Sequence, residues 1–254
     1  MATKKKITRV EGGENPASES KTFVPTPEAK GRATKLRTFA GLTWLLAIIA
    51  QVGAIWLVLN KPENFMTWTI VLIVVDLIFA IIGSGLWKKS NRLDPASREN
   101  KFMFFMQSQL GLVTAVVAFL PLIIVILTNK DLDAKQKGIL GGIAGVALLV
   151  AGITGTDFNP PSVEEYTEQT ARVEDLTGAN HVYWTKSGSK YHIYDDCHSI
   201  NRAATAEIFQ GTVAQARELK NITELCKFCE NTAEKAKGES LLENVEEVQE
   251  AVTE

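Results

Sequence analysis

The chain has 254 residues, 46% hydrophobic and 22% charged, with a formal net charge of −2 and three cysteines. An odd number of thiols excludes a fully paired disulfide framework. The averages conceal a division: residues 1–37 carry nine Lys and Arg against four Asp and Glu, whereas residues 157–254 carry nine against nineteen. A tail that acidic disfavours binding to nucleic acid phosphates or to an anionic lipid surface, since both reward clustered cations.

In chain order, residues 1–37 form a basic arm whose Gly12, Gly13, Pro16, Ser18, Ser20, Pro25 and Pro27 predict disorder. A polar stretch of this length before the first apolar residue does not read as a cleavable signal peptide. Four apolar runs follow, Phe39 to Leu59, Met66 to Trp87, Gln107 to Thr128 and Ile139 to Gly155. A helix needs about 20 apolar residues to cross the hydrocarbon, because lipid offers unpaired backbone groups no partners. The first three runs meet that length. The fourth, Gly-rich and bounded by Lys137 and Asp157, is the shortest, and if it failed to span, the tail would change sides.

Loop charge sets orientation. Lys30, Arg32, Lys35 and Arg37 precede the first run, and Lys88, Lys89, Arg92, Arg98 and Lys101 occupy the second loop. The third loop opposes them with Lys130, Lys135 and Lys137, partly offset by two aspartates. The positive-inside rule therefore predicts a multi-pass protein of the inner (cytoplasmic) cell membrane with N- and C-termini in the cytosol. Trp56, Trp68 and Trp87 fall near the expected interfaces.

Within the runs, Asp76 is the one deeply placed ionisable residue. It suits a proton or cation relay, or an interhelical hydrogen bond to Gln51, Thr114 or a backbone carbonyl. Pro121 predicts a kink in the third span. Gly83 with Gly85, and the series Gly138, Gly141, Gly142 and Gly145, would let helices approach closely.

Beyond the last run, Asp157 to Pro161 is a rigid exit and Val163 to Leu176 a surface helix. His181 to Thr185 and Lys190 to Tyr194 are rich in aromatic and β-branched residues around the turn Lys186-Ser187-Gly188-Ser189, which predicts a hairpin. Thr212 to Leu219 predicts a short helix opening at Thr212, with Val213, Ala216 and Leu219 buried. Glu239 to Glu254 places Leu241, Leu242, Val245, Val248 and Val252 on one stripe among six glutamates, either a partner-binding or self-associating helix or a frayed terminus. Asn221-Ile222-Thr223 matches a glycosylation acceptor, without meaning on a tail expected in the cytosol.

The cysteines are Cys197 and the pair Cys226-Lys227-Phe228-Cys229. Two thiolates separated by two residues can fold round one ion, and zinc takes four N or S ligands in a tetrahedron. His192, five residues before Cys197, is the natural fourth ligand, with His198 as competitor and His181 as a surface histidine. Redox chemistry at the CxxC and inert thiols are the alternatives; too few strands are expected for a thioredoxin-like unit.

Tyr183 to Cys229 resembles the small bacterial zinc modules related to the Ada metal-binding domain, with their Gly-turn hairpin, Tyr-His before a Cys, short helix and closing CxxC. The resemblance implies a cytosolic zinc fold held by His192, Cys197, Cys226 and Cys229. The sequence departs from it at Asn221 to Leu225, where such modules often carry Gly, an aromatic and Pro. In the Ada protein itself a zinc-bound thiolate accepts methyl groups from DNA phosphates, but through an all-Cys ligand set and a DNA-facing surface. The four-span arrangement as a whole resembles uncharacterised bacterial membrane proteins.

The expected fold class is therefore mainly α, a four-helix transmembrane bundle with a small α+β, zinc-ribbon-like cytosolic module. The expected organisation is a basic arm (1–37), a four-span domain (38–156), a connecting segment (157–179), a zinc module (180–233) and an acidic helical tail (234–254). The expected function is presentation of a structural zinc module to the cytosol for protein binding or regulation, through a protein partner or self-association by the tail, without catalysis. Rivals are a thiol or metal sensor, a small transporter using Asp76, and a zinc-thiolate alkyl acceptor using Cys197, Cys226 or Cys229.

Overall fold

The computed structural model describes residues 6–10, 22–220 and 222–239 and resolves into two compact units, residues 26–162 and the described parts of 1–25 with 163–254. The stripe expected over Leu241 to Val252, and Asn221, lie outside the described residues.

The first unit holds four long helices, α1 (Pro27–Asn60), α2 (Phe65–Leu93), α3 (Lys101–Thr128) and α4 (Ala134–Gly155). All four are long and apolar enough to cross a membrane. At about 1.5 Å per residue even the 22-residue α4 reaches about 33 Å, against a hydrocarbon core of about 30 Å. Helix α1 begins eleven residues ahead of the expected 38 because Thr26-Pro27-Glu28 is a start signal. The Thr26 hydroxyl accepts from the Ala29 N–H at 3.2 Å, Pro27 presets φ, and Glu28 meets the positive end of the helix. Helix α4 opens on a capping box between Asp133 and Gln136.

The inner core of this unit includes Phe119, Leu122, Ile126 and Leu140, but the stripe along α1 and the outer surface depart from the pattern of a water-soluble bundle. Ala33, Ala40, Ala47 and Ala54, seven residues apart on α1, are wholly buried, while Leu45, Ile49, Val52, Ile78, Ile124 and Leu149 face outward. Small residues inside and large apolar ones outside suit a lipid solvent, where close backbone approach rather than solvent aversion holds helices together. A Cβ at Gly83 would lie 2.5 Å from the Trp44 ring, and one at Gly155 would lie 2.6 Å from the Gly111 carbonyl oxygen. The α1–α2 and α3–α4 contacts thus each depend on a glycine; the series from Gly138 to Gly145 is looser, with open space beside Gly138, Gly142 and Gly145.

The non-helical residue inside α3 is Gln109 (φ −108°, ψ 15°), not Pro121. Gln109 has side-chain bonds to compensate: it donates to the Asp157 carbonyl at 2.8 Å and accepts from the Asp157 N–H at 3.2 Å. Trp87 Nε1 and Asn91 Nδ2 both donate to the nearby Gln107 carbonyl, at 2.7 and 2.8 Å.

The second unit contains β1 (Lys6–Arg9), α5 (Val163–Thr177), β2 (Val182–Thr185), β3 (Lys190–Tyr191), β4 (Glu207–Gly211), α6 (Val213–Lys220), β5 (Glu224–Leu225) and α7, a helix over 227–239. One sheet has the order β1-β4-β2, with β1 parallel and β2 antiparallel to β4; β3 and β5 pair in parallel.

Four expectations are corrected here. The expected hairpin shrinks to one pair, Tyr183 and His192, which exchange two backbone hydrogen bonds of 2.7 Å before β2 turns to β4 and β3 to β5. The arm is not structureless throughout: Lys6–Arg9 is a strand, and Phe23 packs edge-on against Tyr166 at 5.1 Å while its N–H donates to Thr167 Oγ1 at 2.8 Å. Residues 163–177 are not a mere connector, because Tyr166 and Val173 are buried and Arg172 pairs with Glu230, at 3.2 Å, and Glu234 on α7. On α6, Val213 and Ala216 are buried as expected but Leu219 is exposed, and Arg217 takes the inner face instead. Its guanidinium sits over the Tyr166 ring at 4.0 Å and the Phe23 ring at 5.2 Å and donates to the Tyr166 carbonyl at 3.0 Å, so an aromatic cradle compensates a burial that pushes its pKa down to about 10.

Replacing Gly155 with Ala should destabilise the bundle by about 1–3 kcal/mol, because the new methyl meets backbone that cannot rotate aside. Thermal unfolding in detergent should show a lower Tm for Gly155→Ala and no change for Gly142→Ala, where the space is open.

Candidate metal centre

The donor atoms of His192, Cys197, Cys226 and Cys229 all lie within 4.8 Å of one another, and each residue is no more than 6% exposed. Thiolates about 2.3 Å from a tetrahedral zinc stand about 3.8 Å apart, and an imidazole nitrogen stands about 3.6 Å from such a sulfur. Cys229 Sγ and His192 Nδ1 are 3.6 Å apart. The four donors are therefore close enough together to hold one metal ion.

Each ligand is placed by a different element. His192 is fixed by its paired bonds to Tyr183. Cys197 sits in a turn whose carbonyl accepts from the Ile200 and Asn201 N–H groups at 3.0 and 2.8 Å. The Cys226 N–H donates to the Tyr191 carbonyl at 2.9 Å, joining β5 to β3, and the Cys226 carbonyl accepts from the Glu230 N–H at 3.0 Å, opening α7. Cys229 is wholly buried in the first turn of α7. Ile193, Ile200, Ile208 and Ala233 complete an apolar shell around the sulfurs.

The electrostatics match a cation. Burial pushes the Cys229 thiol up to about 12, against the pull of the Tyr194 and Ile193 backbone N–H groups. Burial also acts on Cys226, but backbone hydrogen bonds from Cys229 and Phe228 and side-chain bonds from Cys229 and Cys197 more than offset it, leaving its pKa lowered. Burial, with His198 and Lys190 adding repulsion, pushes His192 down to about 4, so its imidazole is neutral and able to ligate at ordinary pH. A cation bound there would supply the positive charge that ionises three thiols in a dry setting.

His198 stays outside the cluster. It is exposed, with its ring edge-on to Phe228 at 4.5 Å, so adjacency to Cys197 turns it away from the donors. His181 is half-buried, its Nε2 2.7 Å from Gln210 Nε2. The sequence missed β4, whose Ile208 closes the apolar shell; its only signal was the pair Ile208-Phe209 in a polar stretch.

Asp76 is wholly buried on the face of α2 that also carries Thr69, Ile73 and Ala80. Neither carboxylate oxygen has a hydrogen-bond partner among the described residues. The bonds expected for it do not form: Gln51 Nε2 is itself unpartnered, and Thr114 donates to the Leu110 carbonyl at 2.8 Å.

Fold and site together define a protein with four membrane-length helices and a small α+β module enclosing one histidine and three cysteines at metal-ligand spacing. No protein-family model, no curated protein and no solved structure matches the chain.

Cys226→Ser should lower bound metal to below about a tenth of the wild-type ratio by elemental analysis. Acid should act in the same direction. A histidine whose folded pKa is lowered from 6.5 to about 4 contributes stability above the unfolded value that is lost as pH falls through that window. Thiolates reprotonate over the same descent, so circular dichroism should report loss of module structure between about pH 6.5 and 4, and early loss at neutral pH with a chelator.

Proposed function

We propose that the chain is a multi-pass protein of the inner cell membrane that presents a structural zinc module to the cytosol for protein binding or regulation. The observation that carries this reading is the closed cluster of His192, Cys197, Cys226 and Cys229, buried and at ligand spacing. Three sulfurs and one imidazole suit zinc among the common divalent ions, and four protein ligands leave no open position for a substrate. The Ada-like spacing of Tyr183 to Cys229 supports the same assignment. Burial of all three thiols argues against an alkyl acceptor, whose sulfur must meet its donor.

Orientation rests on two supports. Cations crowd the N-terminal end of α1, at Lys30, Arg32, Lys35 and Arg37, and the passage from the end of α2 to the start of α3, at Lys88, Lys89, Arg92, Arg98 and Lys101, which favours the cytosol for both. Strand β1, ahead of α1, pairs with β4, beyond α4, which supports a path with both segments on one side and an even number of crossings. A four-crossing path satisfies both.

A second reading, transport of protons or a small cation, is favoured by Asp76. A buried carboxylate without partners in a span is costly, and such residues mark ion pathways.

Elemental analysis of the purified protein should find one zinc per chain, absent from Cys226→Ser. Protease added to right-side-out vesicles should spare the module and in inverted vesicles should cut it; the reverse pattern would move the module outside. In liposomes carrying a pH gradient, the second reading expects wild-type protein to dissipate the gradient and Asp76→Asn to preserve it, and equal leak from both would remove that reading.

A further inference from the structure

Strand β4 is shared between the metal centre and the N-terminal segment. Its Ile208 side chain packs in the apolar shell of Cys197, Cys226 and Cys229, while Phe209, on the opposite face, stacks on Trp184 at 6.3 Å. One edge of β4 binds β2, which holds His192 through Tyr183. The other edge binds β1. The metal centre therefore touches this sheet twice, and β1 lies one strand spacing beyond.

Strand β1 is weakly held on its own account. Lys6, Ile7 and Arg9 are exposed; the attachments among the described residues include the parallel ladder from Lys6–Glu207 to Arg9–Gln210, the Val10 N–H to the Gln210 carbonyl at 2.9 Å, a longer bond of 3.4 Å from Gln215 Nε2 on α6 to the Val10 carbonyl, and Val10 against the Trp184 cluster. Thr8 Oγ1 bonds Glu207, and Lys6 Nζ stands 3.6 Å from the same carboxylate. Each ladder bond replaces bonds to water and so gains little on balance, and the entropy of ordering the segment opposes the sum, which leaves docking near balance. A segment so poised follows the order of the strand it docks on.

We infer that β4 couples the metal centre to the chain's own N-terminal segment: metal binding favours docking of Lys6–Val10 on the β4 edge, and metal loss releases it. This rests on the zinc reading of the site and deepens it, giving the module an output. Release uncovers a strand edge and frees a segment carrying Lys6 and Arg9. Phe23 is held elsewhere, by Tyr166, Thr167 and Arg217, so the arm stays tethered at its root while its tip moves.

Linkage makes the coupling reciprocal: whatever metal does for docking, docking does for metal affinity by the same factor. The test uses the full chain in lipid nanodiscs. Hydrogen exchange at the 6–10 amides should speed up by about tenfold or more when zinc is removed by a chelator, with a smaller change at the Phe23 amide. In the reciprocal arm, Val10→Pro removes the N–H that bonds Gln210 and should weaken zinc binding by about three- to tenfold in competition with a chromogenic chelator. Lys6→Ala, at a largely exposed side chain, should stay within about twofold. Zinc uptake with the same exchange at 6–10 in both states, or with wild-type affinity in Val10→Pro, overturns the coupling alone. A wild-type chain that takes up no zinc overturns the coupling and the zinc reading together.

Discussion

The second unit depends on convergence of one imidazole nitrogen and three sulfurs on one point. Its apolar cores are small: one cluster gathers Val173, Val182, Trp184, Tyr191, Val213, Ala216 and Ile222, and the other is largely the ligands themselves with Ile193, Ile200, Ile208 and Ala233. The turn carrying Cys197 and the β5–α7 corner carrying Cys226 and Cys229 meet through this second cluster and through the exposed edge-on contact of His198 with Phe228. A structural zinc in such a setting is worth roughly 10 kcal/mol or more of apparent binding energy, comparable to the whole stability of a small domain. Without a cation, buried thiols and a neutral imidazole would have to hold the corner by packing alone.

The first unit obeys a different constraint. In lipid, large apolar side chains gain nothing by turning inward, so contact area comes from backbones that can approach. Alanines at every seventh position of α1, and glycines at 83, 111 and 155, provide that approach. Trp87 Nε1, Asn91 Nδ2 and Gln109 Nε2 at one end of the bundle are paired to backbone, whereas Gln51 Nε2, Thr69 Oγ1 and both oxygens of Asp76 have no hydrogen-bond partner among the described residues, and of these Asp76 alone is ionisable. The contrast is what makes Asp76 a functional candidate rather than a fastening.

Arg217 joins packing to chain order. The buried guanidinium is tolerated because Tyr166 and Phe23 present ring faces, the Tyr166 carbonyl and the Thr170 hydroxyl accept hydrogen bonds, and Glu165 and Glu218 attract its charge. Phe23 comes from ahead of the first long helix and Tyr166 from beyond the fourth. Described segments from before and after the four long helices thus meet in one small domain, at Arg217 and again where β1 meets β4.

Features set by local spacing were legible in the sequence alone. Run length and hydropathy located the four long helices, because a segment's fitness for lipid is a property of its own residues. The Cys-x-x-Cys spacing and the His192–Cys197 interval named the four donors that the structure brings together, because ligand chemistry tolerates few residue types. Tertiary structure decided what depends on distant partners. Strand β4, with two apolar residues, is a strand only because β1 and β2 border it, and Lys6–Arg9 is ordered only because β4 offers an edge. His198 was separated from His192 by the direction of a turn, Leu219 from Arg217 by the rings Arg217 found, and the break in α3 fell at Gln109 rather than Pro121 because Asp157 was there to bond it. Asp76 could be seen in the sequence to be costly; only the packing of the helices buried it wholly with neither oxygen bonded among the described residues.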